Sequence, residues 1–235
     1  MVFEKLEERL ILSGKVEALT SIHIGSGKGE RDIGEVDLPI LRQPSGVPYI
    51  PGSSLKGKVR SEAERIARER GMKVCTPPEV KNMCGSIEKD PKEFCICCRI
   101  FGTAGDISVA SKVKFRDSYP DESIERTLTR TGIAMDREKG SVYKQALYTI
   151  EAVPAGTKFS LEIVAENMAE EELGLLKAAL RSVEDSALGG SSTRGFGKVK
   201  FHFLQLRKRS AGFYLGKEGE QVIEGKELED WMNRK

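Results

Sequence analysis

Histidine is scarce in this sequence: His23 and His202 are the only two in 235 residues. That scarcity argues against a histidine-rich metal centre, and a paired-histidine nuclease would need these two to converge. No serine hydrolase elbow is present. No segment approaches the ~20 apolar residues of a membrane span, and no early apolar run resembles a signal peptide. A cytoplasmic protein with no membrane partner is therefore expected, and structural disulfides are not. Nor is there an excess of one charge: 38 Lys and Arg against 36 Asp and Glu leave a net charge of +2. Overall charge does not advertise a nucleic-acid binder, so any RNA contact must come from locally grouped cations.

What is present supports a folded core. Hydrophobic residues make up 39% of the chain and charged residues 31%, the latter above the roughly 25% of an average globular protein. Plentiful charges of both signs fit a heat-adapted source. The length suits one large domain or two small ones, and the absence of a repeat or a low-complexity linker favours one.

Residues 9–24 alternate in strand fashion, with a bend expected near Gly14. A glycine- and charge-rich loop follows over residues 25–34, then a short extended segment over 36–42 that ends in a turn at 44–46. Ser53 or Ser54 reads as a helix N-cap. Leu55, Val59, Ala63, Ile66 and Ala67 share one helical face, and Gly71 closes the helix. Residues 75–101 show no period and read as an irregular insertion. A short strand over 112–116, a projecting hairpin or long loop within 117–153 and a strand over 158–165 come next. A second helix is expected from Asn167, with Glu170 completing a capping box and Leu173, Leu176, Leu180 and Val183 on its buried face. A strand from Lys198 and a terminal helix over 227–233 complete the chain. Two β-α-β units predict an α+β fold, with a ferredoxin-like antiparallel sheet and helices on one face.

Three clusters carry chemistry. Residues 188–199 read L-G-G-S-S-T-R-G-F-G-K-V. Glycines there allow turns that aim amides at a phosphate, with Ser191, Ser192 and Thr193 as donors and Arg194 and Lys198 as cations. The plainer reading is a loop that reverses the chain. Residues 52–59, G-S-S-L-K-G-K-V, fall one residue short of a P-loop, because Val59 stands where a Mg²⁺-binding hydroxyl belongs. Nucleotide hydrolysis is rejected, but a helix N-terminus with two serines and two lysines suits a phosphate. Finally, all five cysteines lie at positions 75, 84, 95, 97 and 98. Cys95 and Cys98 form a C-x-x-C chelate, and Cys75 and Cys84 can complete a structural zinc site, with Cys97 to spare. The alternative is five idle thiols.

Three single residues stay open on this reading. Asp37 is either a turn carboxylate that accepts a backbone N–H or a carboxylate near a scissile phosphate that helps bind Mg²⁺. His23, beside a glycine loop, can touch a base or phosphate. His202 reads as structural.

Taken in order, H-I-G-S-G, V-D-L-P-I, P-Y-I-P-G-S-S-L-K-G-K-V-R, C-R-I-F-G and L-G-G-S-S-T-R-G-F-G-K-V resemble the RAMP superfamily. More narrowly they resemble the backbone (Csm/Cmr-type) subunit of type III CRISPR effector complexes, over residues 23–199. The resemblance implies an RRM-like palm within a single domain spanning 1–235. It implies a cysteine-rich insertion over 71–105 and a thumb hairpin over about 117–153. It implies copies stacked in a filament along a guide RNA (crRNA), beside other CRISPR effector subunits, with complementary target RNA bound. By the same resemblance Asp37 is catalytic in target-RNA cleavage with Mg²⁺ or another divalent metal, and the neighbouring 2′-hydroxyl attacks. It further implies RNA contacts at His23, Ser53, Ser54, Lys56, Lys58, Arg60, Gly190, Ser191, Ser192 and Arg194. In the thumb, Arg130 and Arg137 would meet phosphates, and Ile133 or Met135 would wedge between bases. Some relatives carry zinc in the insertion, which fits Cys75, Cys84, Cys95 and Cys98. Two alternatives remain at this point: a non-catalytic architectural RNA-binding subunit, and a stand-alone guide-processing endoribonuclease with His23 as its base.

Overall fold

A computed structural model describes residues 5–27 and 36–234, with the backbone alone for 144 and 145. Most of the expected loop over 25–34 lies outside the described residues. The elements run β1 (Glu8–Ala18), α1 (Gly52–Glu69), α2 (Cys84–Ile87), α3 (Ile96–Phe101), β2 (Val113–Phe115), β3 (Leu128–Asp136) and β4 (Ser141–Ala152). They continue with β5 (Lys158–Glu166), α4 (Glu170–Asp185), β6 (Val199–Ser210), α5 (Ala211–Tyr214), β7 (Gln221–Glu224) and α6 (Gly225–Asn233). No helix among the described residues is long and apolar enough to cross a membrane.

Five strands form one antiparallel sheet in the order β2-β5-β1-β6-β7, and β3 and β4 form a separate hairpin. The first four are ordered as in a ferredoxin-like palm; β7 extends the far edge. Alternation in β1 buries Leu10, Leu12, Val16 and Ala18, and they join one core with Leu55, Val59, Ala63 and Ala67 of α1 and Leu176, Leu180 and Val183 of α4. Both helices thus cover the same face, and Ser182 of α4 donates to Glu62 of α1 at 2.8 Å. The register slips between Ser13 and Gly14 against β6. A Cβ at Gly14 would stand 2.1 Å from the His202 carbonyl oxygen, so the bend there demands glycine.

Several expected boundaries move, each for a non-local reason. β1 ends at Ala18 rather than near residue 24, because the following amide of Leu19 turns to the Lys198 carbonyl (2.8 Å) and Ile22 pairs with Val153. α1 starts at Gly52, after Pro51, so Ser53 and Ser54 sit in its first turn and neither caps it. Its first amide is satisfied instead by Asp117 Oδ1 at 2.8 Å. Gly71 follows the C-cap residue Arg70, in a left-handed conformation (φ 71°). α4 starts at Glu170, not Asn167. The Asn167 side chain accepts from the amides of Glu7 and Glu8, and the helix is capped by Glu172, which accepts the Ala169 amide at 3.0 Å.

The region over 75–101 is more regular than expected. It carries α2, α3 and two short 3₁₀ turns, and it sends Phe94, Ile96, Ile100 and Phe101 into the main core. The hairpin β3–β4 lies inside the expected 117–153, and its strands are largely solvent-exposed beyond the root.

Candidate RNA-binding and cleavage site

Antiparallel pairing decides where the candidate residues meet. Ala18 pairs with Val199 and Glu17 with Lys158, so β5 and β6 begin where β1 ends. Three excursions therefore leave the same end of the palm: the segment leading into α1, the hairpin leading into β5, and the glycine-rich loop leading into β6. Asp37 and Arg194 belong to this end, and Lys56 follows one turn into α1.

Hydrogen bonds knit the three together. Gly190 donates to the His23 carbonyl at 2.8 Å, Gly197 to Ser21 at 2.9 Å, Leu41 to Ile24 at 2.8 Å, and Ile22 and Val153 exchange bonds. Gly189 (φ 90°) allows this approach, since a Cβ there would lie 2.3 Å from the His23 carbonyl oxygen. The His23 ring is 6% exposed, rests near Gly25 and Gly190, and has Nδ1 2.7 Å from the Glu151 carbonyl. It joins the loop to the hairpin root.

The glycine-rich loop uses many of its amides internally. Gly190, Arg194, Gly195 and Gly197 donate to carbonyls, and Lys198 donates to Thr20 Oγ1. The expected amide cradle is reduced accordingly. Ser192, Thr193, Arg194 and Lys198 are exposed and Ser191 is half-buried, so side chains make up much of what a phosphate would meet.

The basic residues divide into groups. Lys56 is half-buried, and burial, then the charge of Arg60, lowers its pKa. Lys58 bonds the buried Glu62 at 2.7 Å. Arg60 bonds Glu64 at 2.9 Å and the Gly102 carbonyl at 3.1 Å, and its Nη2 lies 3.8 Å from Cys98 Sγ. Expected on RNA, Lys58 and Arg60 are engaged first with the protein, because buried carboxylates and a carbonyl lie within their reach. Arg130 and Arg194 are likewise engaged. Arg130 sits 5.3 Å from the Phe196 ring centroid and donates to the Arg194 carbonyl; Arg194 donates to the Tyr148 hydroxyl and lies 5.4 Å from that ring's centroid. Together they fasten the loop to one face of the hairpin, where Ile150, Ala152 and Phe196 form a small buried cluster. Arg137 lies at the exposed tip, roughly 20 Å along the strand from Arg130.

Asp37 lies beside the edge of β4 that β3 leaves open. Its Oδ2 accepts from the Thr149 amide (2.7 Å) and hydroxyl (3.0 Å), and its own amide donates to Thr149 Oγ1 (2.9 Å). Leu38 bridges to Ile150. Glu151 finishes the anchorage: it accepts from the Ile40 amide at 3.0 Å, from Thr127 at 2.6 Å and from Arg42. Burial alone would raise the Glu151 pKa, but those three donors hold it below the usual carboxylate range. Sequence reasoning missed Tyr148, Thr149, Glu151 and Phe196. Apart from Thr127, which Glu151 meets 24 residues back, their partners stand more than 40 residues away, and the only local signal was the strand alternation.

The four cysteines chosen from spacing converge. The sulfurs of Cys75, Cys84, Cys95 and Cys98 lie within 4.8 Å of one another, all buried, and Cys97 stands outside the group. Four thiolates about 2.3 Å from a tetrahedral zinc would be about 3.8 Å apart. Two of the observed separations are 3.3 Å (Cys75–Cys98) and 4.0 Å (Cys75–Cys95). The Cys95 and Cys98 amides donate to the sulfurs of Cys84 and Cys95. Cys95 is held well below the usual thiol range, first by the Cys98 thiol, while burial pushes Cys97 up to about 12. The residues fit a structural zinc ion.

Comparison with known proteins agrees with this architecture. The RAMP superfamily profile matches residues 15–200. A protein of Methanothermobacter thermautotrophicus named CRISPR system Cms endoribonuclease Csm3 is 32% identical, over 93% of this chain and 94% of its own. Its namesake in Methanocaldococcus jannaschii is 33% identical, over 97% and 95%. A crystal structure of a Csm3–Csm4 subcomplex of the type III-A CRISPR-Cas interference complex aligns with a TM-score of 0.58 at 28% identity, over 97% of this chain and 96% of that one. Methanopyrus kandleri Csm3 aligns in fold with a TM-score of 0.63 at 24% identity, over 96% and 92%.

Proposed function

Since this chain belongs to the RAMP superfamily, we propose that it is a backbone subunit of a type III CRISPR interference complex that holds guide RNA and cuts bound target RNA at Asp37. The single domain carries its cysteine-rich insertion and thumb as additions to the palm. The observation that supports the reading best is the seat of Asp37: its carboxylate is fixed at the root of the thumb, on the same end of the palm as α1's N-terminus and the glycine-rich loop. Ser53, Ser54, Lys56, Ser192 and Arg194 would hold the guide backbone there. His23 would act from beneath, by fixing Gly190. Arg137, with Ile133 or Met135, would meet the duplex further out. Held beside a splayed nucleotide, Asp37 would help orient the neighbouring 2′-hydroxyl for in-line attack. A divalent cation at Asp37 would offset charge on the scissile phosphate. Cys75, Cys84, Cys95 and Cys98 would hold zinc, which orders the insertion. Further copies of the chain and other effector subunits would flank it.

A non-catalytic architectural subunit is the second reading, because an Asp37 that accepts the Thr149 amide also suits a purely structural carboxylate. Asp37→Asn separates the two. The amide oxygen of Asn still accepts from Thr149, but the negative charge is gone. Cutting in the assembled complex should fall at least about 10²-fold while guide RNA is retained; undiminished cutting would reject the catalytic reading. The guide-processing nuclease loses support, since its one candidate base, His23, is buried and bonded.

A further inference from the structure

Asp37 belongs to a segment with few regular hydrogen bonds of its own, yet its backbone and carboxylate are both pinned by one residue 112 positions later. The Thr149 hydroxyl does two jobs at once: it accepts the Asp37 amide and donates to Asp37 Oδ2. Its own amide donates to the same oxygen. The Thr149 side chain therefore holds both the amide and the carboxylate of Asp37, beside the backbone bonds that tie Leu38 to β4. The next residue along β4, Ile150, is 2% exposed and packs with Phe196 on the opposite face. Any tilt of the thumb root would thus carry the carboxylate with it.

We propose that Thr149 is a positioning residue for target cutting, which couples the carboxylate of Asp37 to the seat of the thumb. The inference rests on the reading of Asp37 as the cutting carboxylate. Groups that orient a reactive or metal-binding carboxylate commonly alter affinity or activity 10–100-fold when removed. Thr149→Val keeps the shape and the backbone bond but lacks the hydroxyl. Thr149→Ser keeps the hydroxyl but lacks the methyl.

The test compares assembled complexes carrying Thr149→Val, Thr149→Ser or Asp37→Asn. For each, retained guide RNA, melting temperature, cutting rate and the Mg²⁺ concentration for half-maximal cutting are measured. The expectation for Thr149→Val is guide RNA at the parent level, cutting slowed about 10–100-fold and a raised Mg²⁺ midpoint. Thr149→Ser should cut within about threefold of the parent. Should Thr149→Val cut at the parent rate and midpoint while Asp37→Asn is inactive, the positioning role is overturned and the Asp37 reading stands. Should Asp37→Asn itself cut normally, the Asp37 reading fails first. If Thr149→Val melts early and sheds its RNA, Thr149→Ser decides: full cutting by it supports the hydroxyl's role, and impaired cutting by it rejects that role in favour of methyl packing.

Discussion

The cysteine-rich stretch leaves the palm between α1 and β2, and the hairpin between β2 and β5, yet one is buried and the other faces solvent. The first folds inward around sulfur: Cys84, Cys95, Cys97 and Cys98 are each under 5% exposed, with Phe94 and Ile100 beside them. The second is held as a ladder and meets the palm at its root, through Arg130, Tyr148, Thr149, Ile150 and Glu151. Further out it displays Ile133, Met135 and Leu147, the last 62% exposed. Apolar side chains left in water on a two-stranded ribbon contribute little to the free chain's stability. The contrast teaches that the insertion is built for cohesion and the thumb for contact.

The sharpest way to break that contrast is at the sulfurs. Cys98→Ser should strip bound zinc and cost at least about 3 kcal/mol, or roughly 6–12 °C in melting temperature for a chain of this size. Metal analysis and thermal unfolding check it. Cys97→Ala, outside the cluster, should leave zinc content unchanged; loss of zinc there would redraw the ligand set.

At the thumb root the expected effect is smaller and depends on pH. The Glu151 carboxyl has a folded pKa below its unfolded one. Its contribution is therefore fully present above the ordinary carboxylate value near pH ~4.3 and is lost as pH falls through the lowered folded value. Glu151→Gln should cost about 1–3 kcal/mol at pH 7, and the gap from the parent should close in acid. Denaturant midpoints across pH measure it.

The smallest stability change belongs to the tip. Ile133→Ser with Leu147→Ser should shift unfolding by no more than about 0.5 kcal/mol per site, while target cutting in the complex falls. A large loss of stability would mean that the thumb packs on its own apolar side chains after all.

Local periodicity made the palm readable. Leu55, Val59, Ala63 and Ala67 recur at helical spacing, and Leu10, Leu12 and Val16 alternate, so faces and element types follow from neighbours in the chain. Cysteine spacing was equally direct, because C-x-x-C brings two thiols together without help from the fold. What stayed hidden depends on distant partners. Nothing near Gly52 announces that Asp117 will cap α1, and nothing near Asn167 says that its amide group will hold the first strand. The contacts of Arg60 with Gly102 and of Arg194 with Tyr148 likewise become visible only once the chain has closed. The same holds for Asp37, whose partner Thr149 stands 112 residues further along the chain.

The rim of the palm sheet has its own consequence. β7 covers Gln205–Lys208 of β6, and β2, at the opposite margin, is only three residues long. Among the described residues the open edges of that sheet are short, the first half of β6 and β7 itself, which limits the strand addition that leads to runaway association. Copies packed side by side would join through side chains and loops, so their spacing can be set by a bound polymer rather than by sheet continuation.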